Sequence, residues 1–283
     1  MQLHHVYKNT WYTDTGYGLL TICRISDSEV FLFDSGDDKA DEIIALLDER
    51  GWSVRAVFCT HLHHDHIFNN HALYERYGAE IWLTGGKLPS YVTRTKLNYP
   101  FRLIGSADVL DVAGHRIRVI PTPGHTPDHV IFINPDGVGC LGDALISHEI
   151  LNGFKLPYIE DVDRAILSLE ELRLLDCPWF VLAHRAAVPQ EQFSALIDEN
   201  IQKELELYDL LRHRITQPTT MDEAVTDFML SLHISPRRVR EAWYLRATVQ
   251  ERIRTLAEAG ELILDGEKIF PAPPPKDIRK SIV

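Results

Sequence analysis

The stretch Thr60-His61-Leu62-His63-His64-Asp65-His66 constrains this chain more than any other. Four histidines and an aspartate fall within six positions, directly after the apolar run Ala56-Val57-Phe58-Cys59. Neither a packed core nor a solvated face asks for that composition. Imidazoles at alternate positions, followed by a carboxylate and a further imidazole, are the donor types that borderline divalent metals prefer. An expression tag would sit at a terminus, whereas this cluster follows a strand-like run. The fold therefore has to hold a metal site at the end of a buried strand.

The rest of the first two-thirds reads as short strands with helices between them. β-rich runs at residues 19–25 and 30–33 lead into Asp34-Ser35-Gly36. Residues 39–50 carry Ile43, Ile44, Leu46 and Leu47 at helical spacing and stop before Gly51. Residues 54–59 form a buried strand by composition, and residues 67–77 a helix ending at Gly78. Further strands are expected at 81–84, 107–112, 115–120, 129–133, 138–141 and 179–183, with an amphipathic helix at 163–175. Each unusual residue lies just past a strand end: Asp34, the His-rich run, His125 in Pro123-Gly124-His125-Thr126, Asp143 after Gly142, and His184. That arrangement predicts a layered α/β sandwich with its chemistry in loops along one edge.

After about Val188 the pattern turns helical. Residues 190–214 read as one long helix and 221–232 as a second, capped by Thr219 or Thr220. Ser235-Pro236 is expected to open a short helix, and 248–259 to form another, closed by Gly260. Residues 261–264 and 268–271 should pair through Asp265-Gly266. Three short helices and a hairpin outline a winged helix. The expected organisation is a catalytic domain over residues 1–189 and a helical, winged-helix-like domain over 190–283, with a loosely held tail from Ala272.

The 283 residues suffice for two such domains. The net charge of −12 opposes attraction to nucleic acid or anionic membrane. No apolar run approaches the roughly 20 residues needed to span a bilayer. No apolar run follows a basic stretch at the N-terminus, so the cytoplasm is the expected compartment. Cys23, Cys59, Cys140 and Cys177 form no C-x-x-C pair and read as buried thiols.

His-x-His-x-Asp-His after a strand (His61, His63, Asp65, His66), Pro123-Gly124-His125-Thr126, Gly142-Asp143 and a late strand ending at His184 together resemble the metallo-β-lactamase superfamily. The resemblance runs in order over the first domain. It implies a four-layer αββα sandwich, with one ion held by His61, His63 and His125 and a second by Asp65, His66 and His184. Asp143 would bridge the two. Five imidazoles and two carboxylates suit zinc, and iron or manganese also accept such donors. A branch of the superfamily doing redox chemistry on two irons has a carboxylate where this chain has His63, which disfavours that branch. Two ions about 3.5–4 Å apart would share a water, lower its pKa toward about 7 and present hydroxide to an electrophile. Asp65 would orient it as the catalytic carboxylate. Asp34, Thr60 and Thr126 are expected to support the ligand imidazoles. His64 occupies a variable position of the motif and should point away.

Pro123-Gly124-His125-Thr126 with Gly142-Asp143 is similar to glyoxalase II, related thioesterases and lactonases. That similarity implies hydrolysis of a thioester, ester or lactone of a small acid, and His129 fits the same group. His148, Tyr158 and residues 87–101 are the expected substrate contacts. The chain lacks an obvious basic cluster of the kind the glutathione thioesterases use. The tail argues differently. Between residues 234 and 256, Arg237, Arg238, Arg240, Arg246, Arg252 and Arg254 stand against Glu241 and Glu251, a local +4 that leaves −16 elsewhere. A winged helix behind such a domain resembles β-lactamase-like RNA endonucleases, in which arginines would attract phosphates. Alternatively, these arginines pair with acidic groups of the first domain and pack the tail over the active-site edge, which the overall charge favours. An iron-dependent dioxygenase of the persulfide type shares part of the motif. A ligand sensor with a DNA-binding winged helix is disfavoured because all seven ligand positions are filled. The expected protein is a small-molecule metallohydrolase whose C-terminal helices offer the surface for any self-association.

Overall fold

The computed structural model describes residues 1–16, 18–85, 97–105, 109–153, 155–184, 187–236 and 239–272, with only the backbone described at Val239 and Arg240. Four strands run antiparallel in succession: β1 (Leu3–Tyr7), β2 (Thr10–Asp14), β3 (Leu19–Arg24) and β4 (Glu29–Phe33). The chain then crosses over through α1 (Ala40–Glu49) to β5 (Ser53–Phe58). It crosses again through α2 (His64–Ile67) and α3 (Asn70–Tyr77) to β6 (Glu80–Thr84), and β7 (Phe101–Ile104) follows. Helical crossovers bring successive strands back in the same direction, so β4, β5 and β6 pair in parallel; β7 pairs in parallel with β6. The seven strands lie in sequence order across one sheet.

The second sheet takes β8 (Val109–Val112), β9 (His115–Pro121), β10 (Val130–Ile133) and β11 (Gly139–Cys140). After α4 (His148–Gly153) and α5 (Val162–Leu172) it is completed by β12 (Trp179–Val181) and β13 (Ala187–Pro189). The order is β13-β12-β11-β10-β9-β8. The C-terminal part comprises α6 (Gln190–Arg214), β14 (Thr219–Thr220), α7 (Met221–Ser231), α8 (Val239–Glu258), β15 (Leu262–Asp265) and β16 (Lys268–Pro271). Its small sheet is ordered β14-β16-β15.

Strands β3 and β4 are apolar on both faces because both faces are covered. Leu20, Ile22, Val30 and Leu32 pack outward on Ile43 and Leu47 of α1 and Leu73 of α3. Cys23, Phe31 and Phe33 point inward, against Val119 and Phe132 of the second sheet. On that sheet's far side, Ile131, Ile133 and Leu182 pack on Leu169 and Leu172 of α5 and Phe193, Leu196 and Ile197 of α6. The layers are α, β, β, α. Among the described residues no helix is long and apolar enough to cross a membrane.

The two short helices expected after Ser235 and at 248–259 are one helix, α8. Its sequence contains neither glycine nor proline, and Val249, Ile253 and Leu256 keep a single buried face. Thr248, a residue type that favours caps, is buried inside it instead. Leu207 and Leu211 in the second half of α6 supply the missing helical layer, packing on Phe228 of α7 and on Val249, Ile253 and Ile269. Residue 189, where a domain boundary is expected, immediately precedes α6. The 25 residues of α6 reach about 37 Å at 1.5 Å per residue, so its first half covers the sandwich and its second half enters the C-terminal core. Thr220 caps α7, accepting from Glu223 N while the Glu223 carboxylate accepts from Thr220 N.

Candidate metal centre

Strand ends converge along one edge of the sandwich. β4 delivers Asp34, β5 the His-rich loop and α2, the β9–β10 loop His125, β11 Asp143, and β12 His184. Their donor atoms form two groups, His61, His63, His125 and Asp143 in one and Asp65, His66 and His184 in the other. Within each, the atoms lie within 4.8 Å of one another. Asp143 faces both. Its Oδ2 is 3.3 Å from His125 Nε2 and 3.9 Å from His61 Nε2. Its Oδ1 is 3.2 Å from His184 Nε2 and 3.5 Å from His66 Nε2. His63 Nδ1 lies 2.9 Å from His125 Nε2, and Asp65 Oδ2 lies 3.7 Å from His66 Nε2.

Local backbone geometry produces this convergence. Asp34 ends β4 at φ 62°, a left-handed conformation that Asp tolerates better than most residues. Its Oδ2 accepts from His66 Nδ1 at 2.9 Å and its Oδ1 from Thr60 N at 2.8 Å. The Thr60 hydroxyl donates to Asp34 at 3.0 Å, and its oxygen lies 3.1 Å from His61 Nδ1. With both Nδ1 atoms engaged, the Nε2 atoms of His61 and His66 aim at the centre. Gly142 sits at φ 51°, and a Cβ there would fall 2.5 Å from Thr60 Oγ1 and 2.9 Å from His129 Nε2. Only glycine lets the end of β11 approach the His-rich loop this closely. Gly124 likewise allows the His125 loop to lie against α5, where a Cβ would fall 2.4 Å from Ala165 Cα.

Two further braces carry no metal-ligand motif. The Tyr158 carbonyl accepts from His125 Nδ1 at 2.9 Å. Buried His129 accepts from Asp143 N at 3.2 Å through Nε2 and reaches Thr122 Oγ1 at 2.8 Å through Nδ1. His129 therefore holds the backbone that presents Asp143.

The donor set fits divalent cations. The Nε2 atoms of His61 and His66 are buried without a hydrogen-bond partner among the described residues. Burial and the neighbouring imidazoles push His61 and His63 well below the ordinary histidine pKa, which keeps them neutral and able to ligate. Burial works against charge on His66 too, yet Asp34, Asp143 and Asp65 hold it well above that value. Asp143 similarly overcomes burial and raises His184 to about 9. Carboxylates thus draw positive charge to the centre, the role a bound cation would take over.

The other expected residues divide. His64 turns away, 3.1 Å from Asp37 and against Phe68. The Thr126 hydroxyl has no hydrogen-bond partner among the described residues. His148 is exposed on α4 and pairs with Glu199 at 2.7 Å, away from the donors. Tyr158 does line the site, its ring 5.4 Å from that of His63 and 5.5 Å from that of His125. Tyr244 of α8, absent from the sequence expectations, lies 4.9 Å from Tyr158 and 6.1 Å from His63. Residues 87–96, Arg237 and Arg238 lie outside the described residues, as does the tail beyond 272.

An αββα sandwich carrying two adjacent donor groups on loops at one sheet edge defines a metal-binding α/β protein. The model of the metallo-β-lactamase superfamily matches residues 17–184, and the chain belongs to that superfamily. Hydroxyacylglutathione hydrolase of Rhizobium meliloti (strain 1021) is 35% identical over 120 residues, 42% of this chain and 43% of that protein. The match thus spans less than half of that relative. The protein of the same name from Maricaulis maris (strain MCS10) is 27% identical over 228 residues, 72% of this chain and 83% of its own. A metallo-beta-lactamase family protein from Thermus thermophilus superposes with a TM-score of 0.71 at 20% identity, covering 93% of this chain and 97% of that one. A beta-lactamase domain protein from Burkholderia ambifaria gives 0.71 at 17% identity, covering 96% and 94%. The shared fold therefore takes in the C-terminal helices.

Proposed function

We propose that this chain is a metal-dependent hydrolase of a thioester, ester or lactone of a small acid. The observation that carries the reading is Asp143, which turns one carboxylate oxygen to each of two donor groups. His61, His63 and His125 would hold one ion, and Asp65, His66 and His184 the other. Zinc best suits five imidazoles and two carboxylates. A bound pair supplies an acidified water and a Lewis acid for the acyl oxygen. Asp65, partly exposed beside His66, would orient that nucleophile. Asp34 and Thr60 fix the ring orientations. All four cysteines are free and buried, with burial raising each thiol pKa, so none suits covalent catalysis.

A recess beside His125 and Asp143 is lined by Ile146, Leu151, Pro157, Tyr158, Ile166 and Leu169. Relatives named hydroxyacylglutathione hydrolase support a thioester. The test is a panel of acyl thioesters, esters and lactones with zinc-loaded protein and its His63→Ala variant. Turnover should require zinc and vanish in the variant. Silence across the panel from fully metallated protein would remove the reading.

RNA phosphodiester cleavage is the second reading, favoured by the winged-helix order α6-β14-α7-α8-β15-β16. Against it, Arg246 pairs with Asp222, Arg252 with Glu204 and Arg254 with Glu251, which leaves those guanidiniums less available to phosphates. Cleavage of single-stranded RNA that weakens steeply with salt would move the assignment there.

A further inference from the structure

We infer that Arg252, on the C-terminal helix α8, is a positioning residue for the metal centre, acting on His125 through the Pro157-Tyr158 turn. The inference rests on the metal reading above. Arg252 is 0% exposed and heads the fully buried side chains by volume. Its guanidinium pairs with buried Glu204 of α6 and donates to the carbonyls of Thr248 at 3.1 Å and Pro157 at 3.4 Å. The next carbonyl along the chain, that of Tyr158, accepts from His125 Nδ1. Consecutive carbonyls of one turn are therefore held by α8 and by a donor imidazole. The preceding residue, Leu156, is buried in the C-terminal core with Leu207, Leu211, Val249 and Ile253. This turn accordingly belongs to the C-terminal packing while setting the orientation of His125.

Helix α6 braces the other side in a similar way. Asn200 accepts from Ile146 N at 3.0 Å and donates to Ile146 O at 2.9 Å, three residues beyond Asp143. Glu204, one helical turn further, lines the same recess as His125 and Asp143. Stability alone does not require the ion pair. Desolvating two charges is costly, and apolar replacement of both partners is often neutral or stabilising. An apolar pair cannot reproduce the directed N–H to the Pro157 carbonyl.

Two variants separate the roles. Arg252→Lys keeps a charge opposite Glu204 but lacks the planar fork, and Arg252→Met with Glu204→Leu removes the pair together. Zinc affinity is measured by competition with a chromogenic chelator, in two backgrounds. His184→Ala leaves the His61–His63–His125 group complete, and His125→Ala leaves the Asp65–His66–His184 group complete. In the His184→Ala background both variants should bind zinc more weakly, by about tenfold, the lower end of the loss on removing a group bonded directly to a ligand. In the His125→Ala background their affinity should not change. Unchanged affinity in the first background, or equal loss in both, overturns the inference. If circular dichroism shows that one variant does not fold, the other decides. Failure of both to fold assigns Arg252 to stability alone and also overturns it. Failure of the unsubstituted chain to bind zinc removes the metal reading itself.

Discussion

At the residue scale, the donors were legible because ligation depends on side-chain type. His, Asp, Glu and Cys are the usual zinc donors, so motif order already grouped His61, His63, Asp65 and His66 with His125, Asp143 and His184. The Tyr158 carbonyl was not legible, since every residue has a carbonyl and the fold chooses which one meets His125. His148 shows the complementary point, since its pairing with Glu199 across α4 and α6 is set by packing and not by its sequence neighbours. Asp34→Asn should weaken zinc binding about 10–100-fold, measured by chelator competition, because an amide has one acceptor oxygen for the two donors, Thr60 and His66 Nδ1, that the carboxylate serves. Gly142→Ala forces a Cβ to within 2.5 Å of Thr60 Oγ1 at a positive φ. It should destabilise by about 1–3 kcal/mol and sharply reduce turnover by displacing Asp143, read from thermal unfolding and steady-state rates.

At the element scale, helices with clear ends were placed well from sequence. Gly78 closes α3 in the left-handed conformation, and Thr220 with Glu223 caps α7. Thr220→Ala should cost about 1 kcal/mol of stability with turnover unchanged, a result that unfolding and activity curves would check together. Helix α8 was less legible because Ser235-Pro236 upstream and Thr248 within it imitate local boundaries, while packing of Val249, Ile253 and Leu256 keeps it continuous. It brings the ring of Tyr244 beside those of Tyr158 and His63. Tyr244→Ala should raise KM more than it lowers kcat, as expected when uniform binding is lost. A fall in kcat alone would remove Tyr244 from substrate binding.

At the scale of the whole molecule, metal and fold are coupled, because a cation bound only by the native centre stabilises that state. At free zinc a thousandfold above its Kd, the gain is about 4 kcal/mol. Chelation should therefore lower Tm, abolish turnover, and be reversed by zinc on both counts. With Arg246, Arg252 and Arg254 paired inside the chain, turnover of an uncharged ester or thioester should change little with salt, since screening acts on charged partners. The sequence by itself determined the layered α/β pattern and the chemical character of the centre, since strand periodicity and donor type are properties of local residues. Only the tertiary structure decided that Asp143 turns one oxygen to each donor group and that α8 lies beside Tyr158. It also decided that Arg252 meets the Pro157 carbonyl, 95 residues away. Those outcomes depend on packing between distant segments, which no local pattern encodes.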